Sequence, residues 1–553
     1  METTQRLQVK IQGMTCNSCV IHVRKILETI PDIKEVNIPG WKSGKAEILA
    51  SSTVTDEDII HTVEAAGYRA IPGKRNSIPN KDQIQSKQKS FDLAVIGGGS
   101  AGFAAAIRAS ELGAKVALVE KGVTGGTCVN RGCIPSKTLM RSVAHYYRTI
   151  HYPFSAHPPK RRKIEWQKII EQKERLVQQL RKTKYEDVLL AYPEISYIRG
   201  TALITNEKTV EIDGVPYSTN KIIVATGSHP YAPPIPGLSE SNFLDSEHVM
   251  NLTQPPDSMI VIGGGSVGLE LAQVFARIGT KVTILEAFPS ILPQEEPEMS
   301  AALSHYLTEE GIGIVAGVHI HQINKIRGRV VLEIEGKKNS QTIEAEKLLI
   351  AAGRRANTNG LGLENMGVKI GQQGEIVIDE HSQTSNPNIY AAGDCTDTPM
   401  FVYVAAHSGS VAAENALNGN HRMLDLSTLP RVVFTDPQFA SVGLTEKQAM
   451  NQEYHIVKTI LTLDHVPRAL TANDTRGLIK LIADKNTDEL LGVHIISADA
   501  GEVIQTAVLA LKEGYTTEKL ATTIFPYLTS VEGLKLAAQT FKKDIHKLSC
   551  CAG

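Results

Sequence analysis

Six of the seven cysteines in this 553-residue chain fall into close pairs: Cys16 with Cys19, Cys128 with Cys133, and Cys550 with Cys551. Thiols spaced CxxC, Cx4C and CC are too near one another to staple a fold. In a reducing compartment such pairs bind soft metal ions or carry redox chemistry. The middle pair lies in "GGTCVNRGCIPSKTLM" at 125–140, at the start of a predicted helix, where the two sulfurs come close and the helix N-terminus favours thiolate. The last pair, in "KLSCCAG", sits beside the C-terminus, which suits ligand exchange at a surface better than a bridge. Cys395 stands alone next to Asp394 and reads as a small core residue.

Two segments must position a cofactor for such chemistry. "FDLAVIGGGSAGFAAAIRASELGAKVALVEK" at 91–121 is echoed by "SMIVIGGGSVGLELAQVFARIGTKVTILEA" at 258–287. Each reads as strand, glycine loop, helix and strand, and each ends in an acid at the same distance from the last glycine, Glu120 after Gly102 and Glu286 after Gly268. Two copies in this βαβ context predict two Rossmann-like dinucleotide sites. Gly97, Gly99 and Gly102, like Gly263, Gly265 and Gly268, let backbone N–H groups approach a pyrophosphate at a helix N-terminus. Glu120 and Glu286 are placed to accept from an adenosine ribose.

Residues 1–71 predict a separate βαββαβ unit of ferredoxin-like order, and the polar stretch 72–90 reads as a tether. The chain divides further into 91–240 and 351–428 for the first nucleotide domain, 241–350 for the second, and an α+β domain over 429–553. The fold class is therefore α/β with two dinucleotide domains. Hydrophobic residues make up 42% of the chain, charged residues 21%, and the net charge is −1. That balance argues against a nucleic-acid partner. The basic run at 160–163 reads as a solvated face. No stretch reaches the roughly 18 apolar residues of a membrane span, and the N-terminus lacks a signal-peptide core, so a cytoplasmic protein is expected.

The run "GTCVNRGCIPSK" resembles the redox-active segment of the flavin-dependent pyridine nucleotide–disulfide oxidoreductases, and "ATGS" at 225–228, "AAGRRANT" at 351–358 and "NIYAAGD" at 388–394 extend the likeness. The resemblance implies FAD in the first nucleotide site, with Ser100, Ala101, Gly126, Thr127, Thr226, Gly227 and Asp394 among its contacts, and the nicotinamide cofactor in the second. It implies Cys133 as the thiolate facing the flavin, Cys128 facing substrate, and Lys137 with Glu270 as an ion pair beside the flavin's reactive edge. It also implies a homodimer in which the last segment of one subunit completes the other's site.

Disulfide-reducing members carry a His-Pro motif and a following acid that protonate a leaving thiolate. This chain has "FPYLTSVEG" at 525–533, with Phe525 in place of the histidine and Ser530 in place of the acid. The segment is similar instead to the mercuric-ion-reducing branch of the family, and "GMTCNSC" at 13–19 resembles the heavy-metal-associated domain. This likeness implies Hg(II) as substrate, Cys16, Cys19, Cys128, Cys133, Cys550 and Cys551 as its ligands, and Tyr185 and Tyr527 flanking it. Soft thiolates select such soft ions. The branch implies NADPH, whereas Glu286, with no arginine close behind it, favours NADH. The alternatives are a dihydrolipoamide dehydrogenase or other disulfide reductase, which the missing acid–base pair opposes, and a metal-trafficking module.

Overall fold

The computed structural model describes residues 4–15, 17–38, 41, 43–77, 90–151, 154, 164–336 and 339–547. They form two compact units, Met1–Ser90 and Phe91–Gly553. Cys16, Cys550, Cys551 and the basic run at 160–163 lie outside the described residues.

In the first unit an antiparallel sheet is ordered Ile33–Asn37, Lys45–Ser51, Thr4–Gln12, Arg69–Ser77. Strand alternation sends Leu7, Val9, Ile11 and Ile48 to one face, where they meet Val23 and Leu27 of helix Asn17–Leu27 and Ile59 and Val63 of helix Asp56–Ala65. The second helix starts with a capping box in which Thr55 and Asp58 satisfy each other's backbone N–H. The last strand takes in 72–77, residues that composition assigns to the tether. Arg75 explains this: its guanidinium bonds the Asp56 carboxylate at 2.5 Å and the Val54 carbonyl at 2.9 Å, fixing the strand end to the helix start.

The second unit opens on a sheet ordered Ile195–Arg199, Val116–Glu120, Ser90–Ile96, Val215–Val224, Thr209–Ile212, Ala202–Asn206. Ile389–Ala391 returns to pair in parallel with Val215–Val224. A second, fully parallel sheet runs Gly313–Ala316, Lys281–Glu286, Ser258–Ile262, Lys347–Ile350. Its central strand Ser258–Ile262 is buried along its whole length because both faces are covered: Met259 and Val261 pack with helix Ser266–Arg277, and Ile260 and Ile262 pack with the three-stranded sheet His319–Ile326, Arg329–Glu335, Ser340–Ala345. The chain closes with an antiparallel sheet ordered Arg431–Val433, Gln438–Gly443, Leu490–Ser497, Leu478–Asp484, Ile456–Thr462.

One apolar cluster joins these parts. Leu139, Met140 and Val143 of helix Cys133–Ile150 pack with Val261, Leu269 and Phe275 around the second nucleotide site and with Phe439, Leu478 and Ile496 of the last sheet. Within that junction Lys480 is fully buried, and its ammonium is paired with Glu296, Glu298 and Glu446. The buried charges of Lys480 and Glu296 are tolerated because each has an opposite partner in bonding distance, while Glu298 and Glu446 reach the ammonium from a partly exposed rim.

Candidate redox site

Both glycine loops turn as their repeat demands. Gly97 has φ +118° and Gly263 has φ +115°. A Cβ on Gly102 would lie 1.8 Å from the Gly97 carbonyl, and one on Gly268 would lie 2.0 Å from the Gly263 carbonyl. No side chain larger than hydrogen fits between strand and helix there. Helices Ser100–Glu111 and Ser266–Arg277 both start at a glycine, Gly99 and Gly265, with no side-chain cap. Their first N–H groups are left for a phosphate.

Glu120 and Glu286 each grip their own glycine loop. Gly98 N–H donates to Glu120 Oε2 at 2.7 Å and Gly122 N–H to Oε1 at 2.6 Å. Gly264 N–H donates to Glu286 Oε2 at 2.7 Å and Phe288 N–H to Oε1 at 2.8 Å. The sequence reading gave these acids to a ribose alone, and the loop contacts are an addition to it. A carboxylate keeps spare lone pairs beyond two such bonds.

A cavity of about 630 Å³ runs from the first loop to the cysteine pair, with Gly97, Glu120, Cys133, Lys137, Glu270 and Asp394 in its wall. Ser100, Ala101, Gly126, Thr127, Thr226 and Gly227 line it as well. Asp394 accepts from Ser228 Oγ at 2.9 Å, and Arg354 donates to that hydroxyl at 2.7 Å. The open glycine cradle, the uncapped helix start and the acid at the strand end fit the FAD that the family uses.

Cys128 lies in the short helix Gly126–Arg131, and Cys133 begins the helix Cys133–Ile150. Asn130 between them ties the turn down: its amide donates to the Thr124 and Gly126 carbonyls, and its oxygen accepts from Arg181 at 2.7 Å. The two sulfurs share one proton. A hydrogen bond from Cys128 holds the Cys133 thiol down at about 7, with Lys137 adding to the effect against burial. The same bond, with burial, pushes the Cys128 thiol far up. The direction of both shifts favours thiolate at Cys133, with Cys128 as its hydrogen-bond donor.

Lys137 Nζ is 2.6 Å from Glu270 Oε2 and lies 4.8 Å from the centre of the Phe434 ring. Glu270, 5% exposed, also accepts from the Phe434 N–H at 2.9 Å. Tyr185 sits in a π-helical turn, Lys182–Glu186, a form frequent at functional sites. Its ring meets Phe103 edge-on at 4.7 Å, burial raises its hydroxyl, and Ser100 and the cysteine pair are its neighbours. Cys395 is buried, with its thiol on the Val224 and Ala392 carbonyls.

Tyr527 is not in the cavity wall of its own chain. It is 54% exposed, in a loop where Ile524 is 94% and Leu528 41% exposed. Phe525 packs against the last domain's core, and Ser530 Oγ donates to Asp499 at 3.0 Å. In the first unit, Cys19 is half-buried against the core, with Thr15 Oγ1 3.8 Å from its sulfur, and His22 Nδ1 is 3.3 Å from the Tyr68 hydroxyl. Sequence reasoning missed Asn130, although it lies inside the cysteine motif. It did not single out Ser228, although that residue ends the "ATGS" run, and it missed Phe434, which no local spacing connects to the site.

Family models agree with this architecture. Residues 91–409 match the pyridine nucleotide-disulphide oxidoreductase model, 429–538 its dimerisation domain, and 8–69 the heavy-metal-associated domain. The chain is 41% identical over 552 residues to a mercuric reductase of Staphylococcus aureus, covering 100% of both. It is 41% identical to one of Acidithiobacillus ferrooxidans, over 99% of each chain. Over 469 residues it is 44% identical to one of Streptomyces lividans, covering 84% of this chain and 98% of that one. Among solved structures, the HOCl-induced flavoprotein disulfide reductase RclA from Escherichia coli aligns with a TM-score of 0.73 at 30% identity, over 82% of this chain and all of that one. The chain belongs to the pyridine nucleotide-disulphide oxidoreductases, and within them to the mercuric reductase family.

Proposed function

We propose that this chain reduces Hg(II) thiolate complexes to Hg(0) with electrons from NADPH, in mercury detoxification in the cytoplasm. The observation that carries the reading is the placement of the cysteine pair: Cys128 and Cys133 stand together in the wall of the cofactor cavity, beside Lys137 and Glu270. FAD bound in that cavity supplies hydride acceptance from NADPH and transfer of the electron pair onward. Cys128 and Cys133 bind the metal as two thiolates, which requires the shared proton to leave. Hg(II) then gains two electrons and departs as Hg(0), which has no charge for a thiolate to hold. Lys137 and Glu270 hold a fixed dipole beside the cysteines, and Tyr185 stands behind the cavity wall, next to Ser100 and Gly125.

Phe525 supports metal over disulfide reduction. A reduced disulfide leaves a thiolate that must be protonated, and an apolar ring packed into a core cannot do that. Reduction of Hg(II) instead releases Hg(0) and leaves two thiolates that are the enzyme's own cysteines, so no product thiol has to be protonated at that step. Cys550 and Cys551 take Hg(II) from small thiols by ligand exchange and pass it to Cys128 and Cys133. Cys16 and Cys19 hold it first in the N-terminal unit. The family's dimerisation domain and the exposed Ile524–Leu528 loop support a homodimer in which Tyr527 and the terminal cysteines complete the partner's site.

The deciding experiment is anaerobic NADPH oxidation with Hg(II) in excess small thiol, with detection of volatile Hg(0). Hg(0) formed in proportion to NADPH consumed supports the proposal. Turnover of lipoamide or glutathione disulfide with no Hg(0) would put a disulfide reductase in its place.

A further inference from the structure

Resting on the reading of 258–287 as the nicotinamide site, we propose that this site binds NADH at least as tightly as NADPH and that Glu286 is the residue that sets this. The argument uses the molecule's own first site as a control. FAD carries an adenosine ribose with a free 2′-hydroxyl, and its site holds Glu120 with one oxygen on the Gly98 N–H and the other on the Gly122 N–H. The second site repeats this in position and length, with Glu286 on the Gly264 and Phe288 N–H groups. A Cβ on Gly98 would meet Glu120 Oε2 at 3.1 Å, and one on Gly264 would meet Glu286 Oε2 at 3.1 Å. The second loop is therefore built on the plan of a site for an unphosphorylated ribose.

A 2′-phosphate needs cations where that plan puts a carboxylate. Glu286 is only 7% exposed and held by two N–H donors, so it cannot swing aside. Between Lys281 and Lys325 the sequence contains six glutamates and no lysine or arginine. The imidazoles within this stretch are His305, His319 and His321, and the first and last face Glu309 and Glu335. Of the arginines elsewhere in the second nucleotide domain, Arg277 is engaged by Glu310 and Asp436 and Arg329 by Glu344, while Arg327 stands in the hairpin turn between strands His319–Ile326 and Arg329–Glu335, outside the strand–loop–helix unit that carries Glu286. The residues after the strand, Ala287 and Phe288, are exposed and uncharged.

Calorimetry on the FAD-loaded protein, with ADP-ribose and its 2′-phosphate as probes, tests this without any turnover. A dissociation constant for ADP-ribose equal to or below that of the 2′-phosphate supports the proposal; tighter binding of the 2′-phosphate overturns it. If neither probe binds, the nicotinamide-site reading falls with it. Ala287→Arg places a cation at the exposed end of the strand, away from the core. It should shift the affinity ratio at least tenfold toward the 2′-phosphate, and an unchanged ratio would remove the Glu286 loop as the selector.

Discussion

Lys137 and Glu270 bond at 2.6 Å across two domains, one from the helix that begins with Cys133 and the other from the helix of the second glycine loop. The pair therefore connects the cysteine helix to the helix that follows the second glycine loop. Its two charges act on Cys133 in opposite senses, Lys137 lowering the thiol and Glu270 raising it.

Lys137→Met should push the Cys133 thiol up. The thiolate of the unmodified protein is fully present well above pH 7 and is lost as pH falls through about 7. In the variant the loss should occur at higher pH. Alkylation rate against pH reads this directly, with about a tenfold slower reaction at neutral pH expected. An unmoved profile would mean that Lys137 does not act on the sulfur.

Cys128→Ala removes the donor that holds the thiolate. The alkylation midpoint of Cys133 should move up from about 7 toward that of an ordinary thiol, and Hg(II)-dependent turnover should vanish. Cys133→Ala should also abolish turnover. A Cys128→Ala protein that keeps the low midpoint would place the cause in Lys137 and the helix start.

Replacing Cys550 and Cys551 together by Ala should strongly impair turnover, most when the competing thiol is bulky and cannot enter the cavity. Equal rates with every ligand would end the delivery role.

Lys480→Met leaves the buried Glu296 without its ammonium partner and leaves Lys458 as the remaining cation beside Glu298 and Glu446. A loss on the order of 3–5 kcal/mol is expected, read as a lower Tm and denaturant midpoint at neutral pH. The acid limb carries a second signature. Burial works to raise the Glu446 carboxyl, and the ammonium groups of Lys458 and Lys480 outweigh it and hold it below its ordinary value. That contribution is present above the ordinary carboxylate range and is lost as pH falls through the lowered value. The variant should lose less stability than the parent over that acid range.

A chain lacking residues 1–90 should keep Hg(II)-dependent NADPH oxidation, since those residues form their own compact unit with their own core. Complete loss would favour the metal-trafficking module.

Much of this was legible because it is local. The two glycine loops repeat, and a loop of that kind admits few backbones, so Gly97 and Gly263 could be read at once. Cys128 and Cys133 were legible for the same reason. The charge cluster at Lys480 was not: Glu296, Glu446 and Lys480 are far apart in sequence, and a buried lysine has the same letter as an exposed one. Phe434 reaches Glu270 through a backbone N–H, which carries no sequence identity. The arginine contact of Arg75 extended a strand into residues whose composition alone reads as tether.

Leu139, Met140 and Val143 share their apolar cluster with Phe275, Phe439 and Ile496, and this bears on inheritance. A recombination that replaced the nicotinamide domain or the last sheet with a stranger's would have to find new neighbours for the cysteine helix as well. The electron-carrying parts are thus bound to evolve as one piece. The first unit, whose core residues all come from its own sequence, can be lost, duplicated or exchanged between genes without that penalty.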